Sequence, residues 1–205
     1  MNNKPIICLT GFSGAGKSTL SRLLRKRYNL SSFKIGRYLE LIAKQKQIPF
    51  KEYIQTLQQK SNTSTMSEIY INLLKAQSKS NGVLIEGINS RAELNELKRL
   101  FPKNPIFLFS IEAPFNTRVK RVKTRGDLSQ SEAEKYVQER EKNRAQLGLD
   151  RVSEFCDGVI INSFSNEREL LQEFEKVFET HLKRRLLTQL KNKLKSKIKF
   201  HKRIR

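Results

Sequence analysis

The sequence predicts a three-layer α/β fold in which helices cover both faces of a five-stranded parallel sheet. Short apolar segments typical of buried strands alternate along the chain with longer segments of helical periodicity. This alternation builds parallel sheets with helices on both sides. A glycine-rich loop after the first strand lies where such sheets bind ligands, beyond the carboxyl ends of the strands. The 205 residues suit one compact domain with a small insert or tail.

Each predicted strand is a short apolar run. The five runs cover residues 5–10, 31–36, 83–85, 105–111 and 159–161. Three capping boxes, in which Ser or Thr precedes Glu by three residues, mark helix starts at Thr65, Ser90 and Ser129. Apolar periodicity predicts further helices. The first follows the glycine-rich loop and ends at about Tyr28, and the others cover residues 37–47, 53–57, 65–74, 90–100, 118–125, 129–146 and 170–178.

Residues 11–18 read Gly-Phe-Ser-Gly-Ala-Gly-Lys-Ser and match G-x-x-x-x-G-K-[ST], the phosphate-binding loop (P-loop) of nucleotide hydrolases and kinases. Its glycines allow positive φ angles, so that consecutive N–H groups turn inward around a triphosphate. We expect Lys17 to reach the β- and γ-phosphates and the Ser18 hydroxyl to bind Mg²⁺. The predicted nucleotide-binding residues of the loop are Gly11, Ser13, Gly14, Ala15, Gly16, Lys17, Ser18 and Thr19.

The net charge of +21 is uneven, because residues 181–205 hold 11 Lys and Arg and no Asp or Glu. The rest of the chain also has a net positive charge, which suits a protein whose two substrates are both phosphorylated. A lysine-rich genome is another source of such charge. Cys8 and Cys156 have neither disulfide-framework nor metal-site spacing. With no signal-peptide pattern and no apolar run of membrane-spanning length, we expect a soluble cytoplasmic protein.

Further landmarks follow the P-loop in order. They are segments 33–36 (Phe-Lys-Ile-Gly), 84–88 (Leu-Ile-Glu-Gly-Ile), 113–126 (Ala-Pro and three spaced arginines), 139–141 (Glu-Arg-Glu) and 156–162 (Cys-Asp-Gly-Val-Ile-Ile-Asn). From about residue 5 to residue 178 the sequence resembles P-loop nucleotide kinases, most closely the dephospho-CoA-kinase-like and archaeal adenylate-kinase-like branch. The resemblance implies a P-loop NTPase fold with a helical acceptor-side insert, a lid, ATP as donor and Mg²⁺. The chain lacks the N-K-x-D sequence that reads guanine and the sensor elements of ring-forming motors.

Phosphoryl transfer requires cations around the γ-phosphate. Arg118, Arg121 and Arg125 are spaced i, i+3 and i+7, so they share one helix face. The resemblance implies that they are catalytic and close over the phosphates from the lid, and the alternative is a solvated basic face.

Arg140 and Arg144 lie one helical turn apart in the same region. Either could fold back onto phosphate. A surface ion pair with Glu139 or Glu141 is the role we expect for each.

Glu86 follows a buried apolar strand beside the loop strand. The resemblance implies a carboxylate at this point, which can hold a Mg²⁺-bound water or accept a proton from the acceptor hydroxyl. The alternative is a charge that interacts with a helix dipole. Asn162 and Asp157 resemble the segment near the adenine, although Asp157 fits a turn residue equally well.

The sequence departs from the resemblance on the acceptor side. Relatives end the second strand in Gly-Asp and carry an arginine three residues later, whereas here Arg37 follows Gly36 and Glu40 stands at the later position. Asn89 replaces another arginine, and Arg91 lies two residues further on. Arg37 and Arg91 are therefore the predicted acceptor-binding residues, and Glu86 or Glu40 takes the role of the base.

The domain organisation follows from these segments. Residues 1–180 are predicted to form the kinase domain, with residues 37–80 as a helical acceptor-binding insert and residues 113–150 as the lid. Residues 181–205 have apolar residues every four positions and basic residues on the other faces, which predicts an amphipathic helix. It either packs on the domain or contacts nucleic acid, an anionic membrane surface or another protein.

Together these features predict an ATP- and Mg²⁺-dependent phosphotransferase acting on a small nucleotide-like acceptor, such as a nucleoside monophosphate or dephospho-CoA. Two alternatives remain open. One is an ATP-binding P-loop module, and the other is a kinase that acts on nucleic acid and is held there by the basic tail.

Overall fold

Five parallel strands form the centre of the molecule. The structure is a computed structural model that describes residues 4–59, 70–71, 80–145, 149–163 and 166–183. The strands are β1 (Ile6–Thr10), β2 (Leu30–Lys34), β3 (Gly82–Glu86), β4 (Ile106–Glu112) and β5 (Gly158–Ile161). They pair in the order β2-β3-β1-β4-β5. The predicted fold class is confirmed.

Helices cover the two faces of this sheet. Along the chain they are α1 (Lys17–Tyr28), α2 (Ile35–Gln45), α3 (Phe50–Gln59), α4 (Arg91–Leu100), α5 (Phe115–Gly126), α6 (Gln130–Ala145) and α7, described over residues 167–183. A short 3-10 helix, Leu149–Glu154, which the sequence pattern did not indicate, precedes β5. The predicted capping box at Thr65 and the helix after it lie outside the described residues, apart from helical residues 70–71.

The second strand is shorter than predicted. It ends at Lys34, and α2 begins at Ile35 without a loop, so Ile35 and Gly36 are helical rather than extended. The cause is packing, because Ile35, Leu39 and Ala43 are all buried and recur at the four-residue spacing of a helix face. The change puts Lys34 at the carboxyl end of the strand, at the edge of the sheet where the P-loop lies.

The core has two layers, and alternate residues of each central strand point into opposite layers. In β1, Ile6 and Cys8 face one layer, whereas Ile7 and Leu9 face the other. Residues of β4 alternate in the same way, which is the pattern of a sheet covered on both sides. A smaller cluster between α5 and α6 consists of Val119, Val122, Ala133 and Val137.

The start of the predicted tail packs on the domain. Leu182 is partly buried against the layer that contains α1 and α7, and His181 Nε2 lies 3.3 Å from the Asp157 carboxylate. Asp157 also accepts a 2.7 Å hydrogen bond from the Leu108 backbone N–H, so it ties β4 to the chain before β5. Residues 184–205 lie outside the described part of the chain, and the nucleic-acid role of the tail stays a prediction. None of the described helices combines the length and the apolar character needed to cross a bilayer.

Two predicted capping boxes are present. Ser90 Oγ accepts from the Glu93 N–H at 3.2 Å, and the Glu93 carboxylate accepts from the Asn89 N–H at 2.8 Å. Ser129 and Glu132 make the equivalent exchange at the start of α6. The two glutamates differ in environment: burial raises the pKa of Glu93 to about 7 despite opposing effects of the Asn89 N–H and Arg144, whereas hydrogen bonds from Ser129 lower the pKa of exposed Glu132.

The two capping boxes should therefore respond to pH in opposite directions. The raised pKa of Glu93 means that its neutral form favours the folded state, and this stability is lost as pH rises from about 4.5 through 7. Glu93→Gln keeps an acceptor for the Asn89 N–H without the charge. We expect the variant to match the wild type below pH 4.5 and to exceed it by about 3 kcal/mol at pH 8, measured by urea unfolding.

Glu132→Gln is the matched control for that experiment. The lowered pKa of Glu132 means that its charged form favours folding, so this variant should be less stable than the wild type at neutral pH and equal to it in acid. A Glu93→Gln protein that is less stable than the wild type at pH 8 would contradict the assignment.

Candidate functional site

A polar cleft of about 710 Å³ lies at the carboxyl ends of the strands. Its walls come from the P-loop, the ends of β2 and β3, the start of α2, the helices α5 and α6, and the segment after β5. Seven basic side chains line it, namely Lys17, Lys34, Arg37, Arg121, Arg125, Arg140 and Arg144. Three acidic side chains, Glu40, Glu86 and Glu167, share the same walls. The excess of positive charge suits anionic ligands.

Three loop glycines stand where other residues would not fit. Gly11, Gly14 and Gly16 have φ angles of 128°, 80° and 106°, which disfavour residues with a Cβ. A Cβ on Gly11 would collide with the Ile111 carbonyl oxygen, and a Cβ on Gly16 would collide with Asn162 Nδ2. The glycines therefore provide both the turn and the close packing of the loop against its neighbours.

The carbonyl groups of the loop are bound by side chains from several elements. Lys17 Nζ donates to the carbonyls of residues 11 and 12 at 2.7 and 2.8 Å, and Arg144 donates to that of residue 11 at 2.7 Å. Asn162 Nδ2 donates to the carbonyl of residue 15 at 2.7 Å. Arg121 approaches the carbonyls of residues 14 and 15 at 3.4 Å and donates to the Asn162 backbone and side-chain oxygens at 3.2 Å.

The buried side-chain amine of Lys17 lies among other basic side chains. Burial lowers the pKa of Lys17 well below its usual value, and the positive charges of Arg144, Arg118 and Lys34 act in the same direction while Glu86 opposes them. Burial likewise lowers the pKa of Arg144 and that of the less enclosed Arg121. An anionic ligand in the cleft would favour the charged form of Lys17.

Ser18 and Glu86, the two residues predicted to bind the metal, lie in hydrogen-bond contact. Ser18 Oγ donates to Glu86 Oε2 at 3.0 Å. The other carboxylate oxygen, Oε1, is buried and has no hydrogen-bond partner among the described residues. A serine hydroxyl and a carboxylate with a free lone pair are the oxygen ligands that Mg²⁺ takes together with substrate phosphates and water. The pair therefore fits a divalent cation, although the described residues contain no group of three or more His, Cys, Asp or Glu that could hold a metal alone.

The three predicted lid arginines lie in different environments. Arg121 and Arg125 line the cleft. Arg118 does not line it: its side chain is 6% exposed, donates to Glu141 at 2.8 Å and to the Ala113 carbonyl at 3.0 Å, and lies 5.4 Å over the Phe12 ring. The predicted phosphate contact for Arg118 is thus not supported by its position, because its helix turns it under the loop and against α6.

The expected ion pairs of Arg140 and Arg144 with Glu139 or Glu141 are not formed among the described residues, where Glu141 instead pairs with Arg118. Arg144 folds back to the loop, which was the alternative, and Arg140 lies 5.3 Å over the Tyr136 ring in the cleft wall. The positions of these arginines on α6 permit either an ion pair with a neighbouring glutamate or a contact with the loop. The position of α6 beside the loop favours the loop contact for Arg144.

Of the residues predicted to act on the acceptor, Arg37 and Glu40 both line the cleft. Arg91 does not: it is the exposed first residue of α4. Asn89 donates to the Gly87 carbonyl at 2.7 Å, so it serves the turn after β3. Predicted loop residues Gly11 and Ala15 are buried behind the wall rather than part of it.

Sequence reasoning missed several residues of the cleft. Lys34 is the most important, since its Nζ lies 2.9 Å from Ser18 Oγ. The resemblance placed Lys34 in a landmark segment without a role, and only the pairing of β2 with β3 shows that it stands opposite Glu86. The other unforeseen wall residues are Tyr136, Asn166, Glu167 and Leu170.

Comparisons with known proteins agree with this architecture. A family described as AAA domain matches residues 7–142, more than half of the chain. A UPF0200 protein from Pyrococcus horikoshii is 25% identical over 178 residues, which cover 84% of this chain and 95% of that protein. A UPF0200 protein from Saccharolobus islandicus is 26% identical over 184 residues, covering 87% and 94% of the two chains.

Solved structures of small-molecule kinases share the fold. A gluconokinase from Sinorhizobium meliloti superposes with a TM-score of 0.60 at 15% identity, over 92% of this chain and 99% of that one. A shikimate kinase from Acinetobacter baumannii, in complex with shikimate, gives a TM-score of 0.55 at 18% identity, over 87% and 95%. At these identities the likeness shows the P-loop kinase fold and does not extend to a substrate.

Gly16→Ala should destabilise the protein by about 2 kcal/mol or more, because a Cβ at this positive φ is strained and would collide with Asn162. Adding Asn162→Ala removes the collision but not the strain. The double variant should therefore recover part of the loss in a double-mutant cycle measured by urea unfolding.

The control for the loop substitution is Gly36→Ala. Gly36 is helical, and apart from its chain neighbours and the backbone of its own helix, no atom of the described residues lies within 4 Å of the position that an alanine methyl group would take there. Alanine should therefore leave stability unchanged or raise it by up to about 1 kcal/mol. If Gly16→Ala were as stable as the wild type, the close packing of the loop against Asn162 would be wrong.

Proposed function

This chain belongs to the AAA domain family, and we propose that it is an ATP- and Mg²⁺-dependent phosphotransferase whose acceptor is a small, phosphorylated, nucleotide-like molecule. The observation that carries the proposal is the combination, in one cleft, of a glycine-rich loop whose carbonyls accept hydrogen bonds from side chains, Lys17, and the Ser18–Glu86 pair. The dephospho-CoA-kinase-like and archaeal adenylate-kinase-like branch is the finer form of this proposal.

The donor half of the site binds the polyphosphate of ATP. The loop amides and the first N–H groups of α1 form the anion site, and Lys17 exchanges its loop carbonyls for phosphate oxygens. Ser18 and Glu86 would hold Mg²⁺, which neutralises phosphate charge when bound. Asn162 keeps residue 15 in place at the back of the loop.

The transfer step depends on positioned cations rather than on covalent catalysis. Arg121 and Arg125 reach the cleft from α5, and Arg144 reaches the loop from α6. They offset the charge that develops on the transferred phosphoryl group. Arg118 has a positioning role, since it joins α5 to α6 through Glu141 and packs under Phe12 of the loop.

The acceptor half of the site lies at the start of α2. Arg37 supplies a cation for a phosphate already present on the acceptor, in place of the arginine that relatives carry further along the chain. For an acceptor that reacts through a hydroxyl, such as dephospho-CoA, Glu86 or Glu40 accepts the hydroxyl proton, as both carboxylates line the cleft. The phosphate oxygen of a nucleoside monophosphate needs no such base. Only Glu86 also contacts Ser18, so Glu40 is the carboxylate left for the acceptor side alone.

Lys17→Ala should lower phosphoryl transfer at least a thousandfold, because the charge that contacts the β- and γ-phosphates is lost. The measurement is steady-state ADP production with ATP and Mg²⁺, accompanied by calorimetric ATP binding. Lys26→Ala removes the same charge from the exposed end of the same helix and should leave the rate unchanged. A Lys17→Ala enzyme with a normal rate would refute the mechanism.

A panel of acceptors tests the substrate class. Ribo- and deoxynucleoside monophosphates and dephospho-CoA carry a phosphate, whereas gluconate and shikimate, suggested by the structural neighbours, do not. We expect turnover only with phosphorylated acceptors. Arg37→Met should raise KM for the best acceptor by about tenfold to a hundredfold, the usual effect of losing a charged hydrogen bond.

Arg91→Met is the matched control for Arg37→Met. It removes the same charge from an arginine that the sequence also assigned to the acceptor but that lies outside the cleft wall. We expect KM to change by less than about twofold. Turnover of gluconate or shikimate with no turnover of nucleotides would refute the proposed acceptor class.

A further inference from the structure

Lys34 occupies the neighbourhood in which a divalent cation would bind. Its Nζ donates to Ser18 Oγ at 2.9 Å and lies 3.8 Å from Glu86 Oε2. The strand register places Lys34 directly opposite Glu86, so the side chain starts from a fixed backbone position beside the metal-binding pair. The ammonium, the hydroxyl and the carboxylate thus form a connected group of three.

The two charged members of this group differ in freedom. The Glu86 side chain is 6% exposed and belongs to a central strand buried along its length. The Lys34 side chain is 47% exposed, at the end of a flexible four-carbon stem. The Glu86 carboxylate is therefore held in place by the surrounding core. The Lys34 ammonium, in contrast, can move away from it without any repacking of the core.

A metal ion and the ammonium compete for the same oxygen atoms. The Ser18 hydroxyl donates a hydrogen bond to Glu86, and its oxygen accepts a hydrogen bond from Lys34. A cation bound to this hydroxyl uses the lone pair that now accepts from Lys34. Like-charge repulsion over a few ångströms also disfavours simultaneous occupancy.

We propose that Lys34 is a metal-displaced positioning residue, whose ammonium holds the Ser18–Glu86 pair in the metal-free protein and moves to the acceptor side when Mg²⁺ binds. The inference rests on the proposed function. The wall next to Lys34 contains Gly36, Arg37 and Glu40, so the released ammonium enters the half of the cleft assigned to the acceptor. Metal binding would then complete the acceptor site with one more cation.

The test compares ATP affinity with and without metal. The dissociation constant of ATP is measured by calorimetry in EDTA and in saturating Mg²⁺, and the ratio of the two values reports the benefit of the metal. In Lys34→Met no ammonium needs displacing, and the metal-free protein loses its substitute cation. We expect the ratio to be at least about fivefold larger than in the wild type, which is the effect of one unit charge about 4 Å away even in the dielectric of bulk water.

Lys44→Met is the matched control, since it removes the same charge from an exposed lysine in the last turn of α2 that lies outside the cleft wall. Its ratio should stay within about twofold of the wild type. An unchanged or smaller ratio in Lys34→Met would overturn the inference and leave the proposed function intact. Failure of every protein to bind ATP would instead refute the proposed function.

Nitrogen NMR of the lysine ammonium groups in the wild type gives a second measurement that needs no variant to fold. Without metal, the Lys34 signal should be protected from exchange by its bond to Ser18. Addition of Mg²⁺, with ATP or alone, should abolish that protection. A Lys34 signal that Mg²⁺ leaves unaltered would overturn the inference, including in the case where ATP does not bind.

Discussion

The structure of the site depends on hydrogen bonds from distant side chains to the carbonyl groups of the glycine-rich loop. Side chains from α1, α5, α6 and the segment after β5 donate to the carbonyls of residues 11, 12, 14 and 15. In a trans peptide the N–H and C=O groups point in opposite directions. Fixing the carbonyls therefore also fixes the direction of the loop amides. In the ligand-free protein these donors hold the shape of the loop, and Lys17 is the one proposed to move to phosphate oxygens when ATP binds.

This arrangement concentrates positive charge at a cost. Burial lowers the pKa values of Lys17 and Arg144, which means that enclosing these side chains disfavours their charged forms. Among the described residues of the cleft wall, Glu40, Glu86 and Glu167 offset seven basic side chains. A polyphosphate would relieve the repulsion, so ligand binding and stability are coupled in this fold. The excess of charge is consequently a property of the site as well as of the composition.

The same α/β framework serves kinases with different acceptors, as the gluconokinase and shikimate kinase structures illustrate. In this chain residues 11–18 follow the P-loop pattern, whereas Arg37 and Glu40, the residues predicted to act on the acceptor, share the cleft wall with Lys34. These three residues come from the end of β2 and the first turns of α2. They line the cleft, whereas the loop carbonyls accept hydrogen bonds from α1, α5, α6 and the chain after β5.

The sequence by itself determined the features that depend on near neighbours. The P-loop, the buried strands, the capping boxes at Ser90 and Ser129 and the order of elements are local patterns, since strand and helix periodicity and the φ demands of glycine act over a few residues. The fold class followed from them.

Only the tertiary structure decided which charged side chains meet. Arg118 and Arg121 share a helix face, yet the contact of α5 with α6 buries Arg118 against Glu141 and leaves Arg121 at the loop. Arg144 lies 133 residues from the carbonyl that it binds, and Lys34 meets Ser18 only because β2 pairs with β3. These contacts depend on how elements that are distant in sequence pack together. The spacing of residues within one helix or strand does not determine that packing.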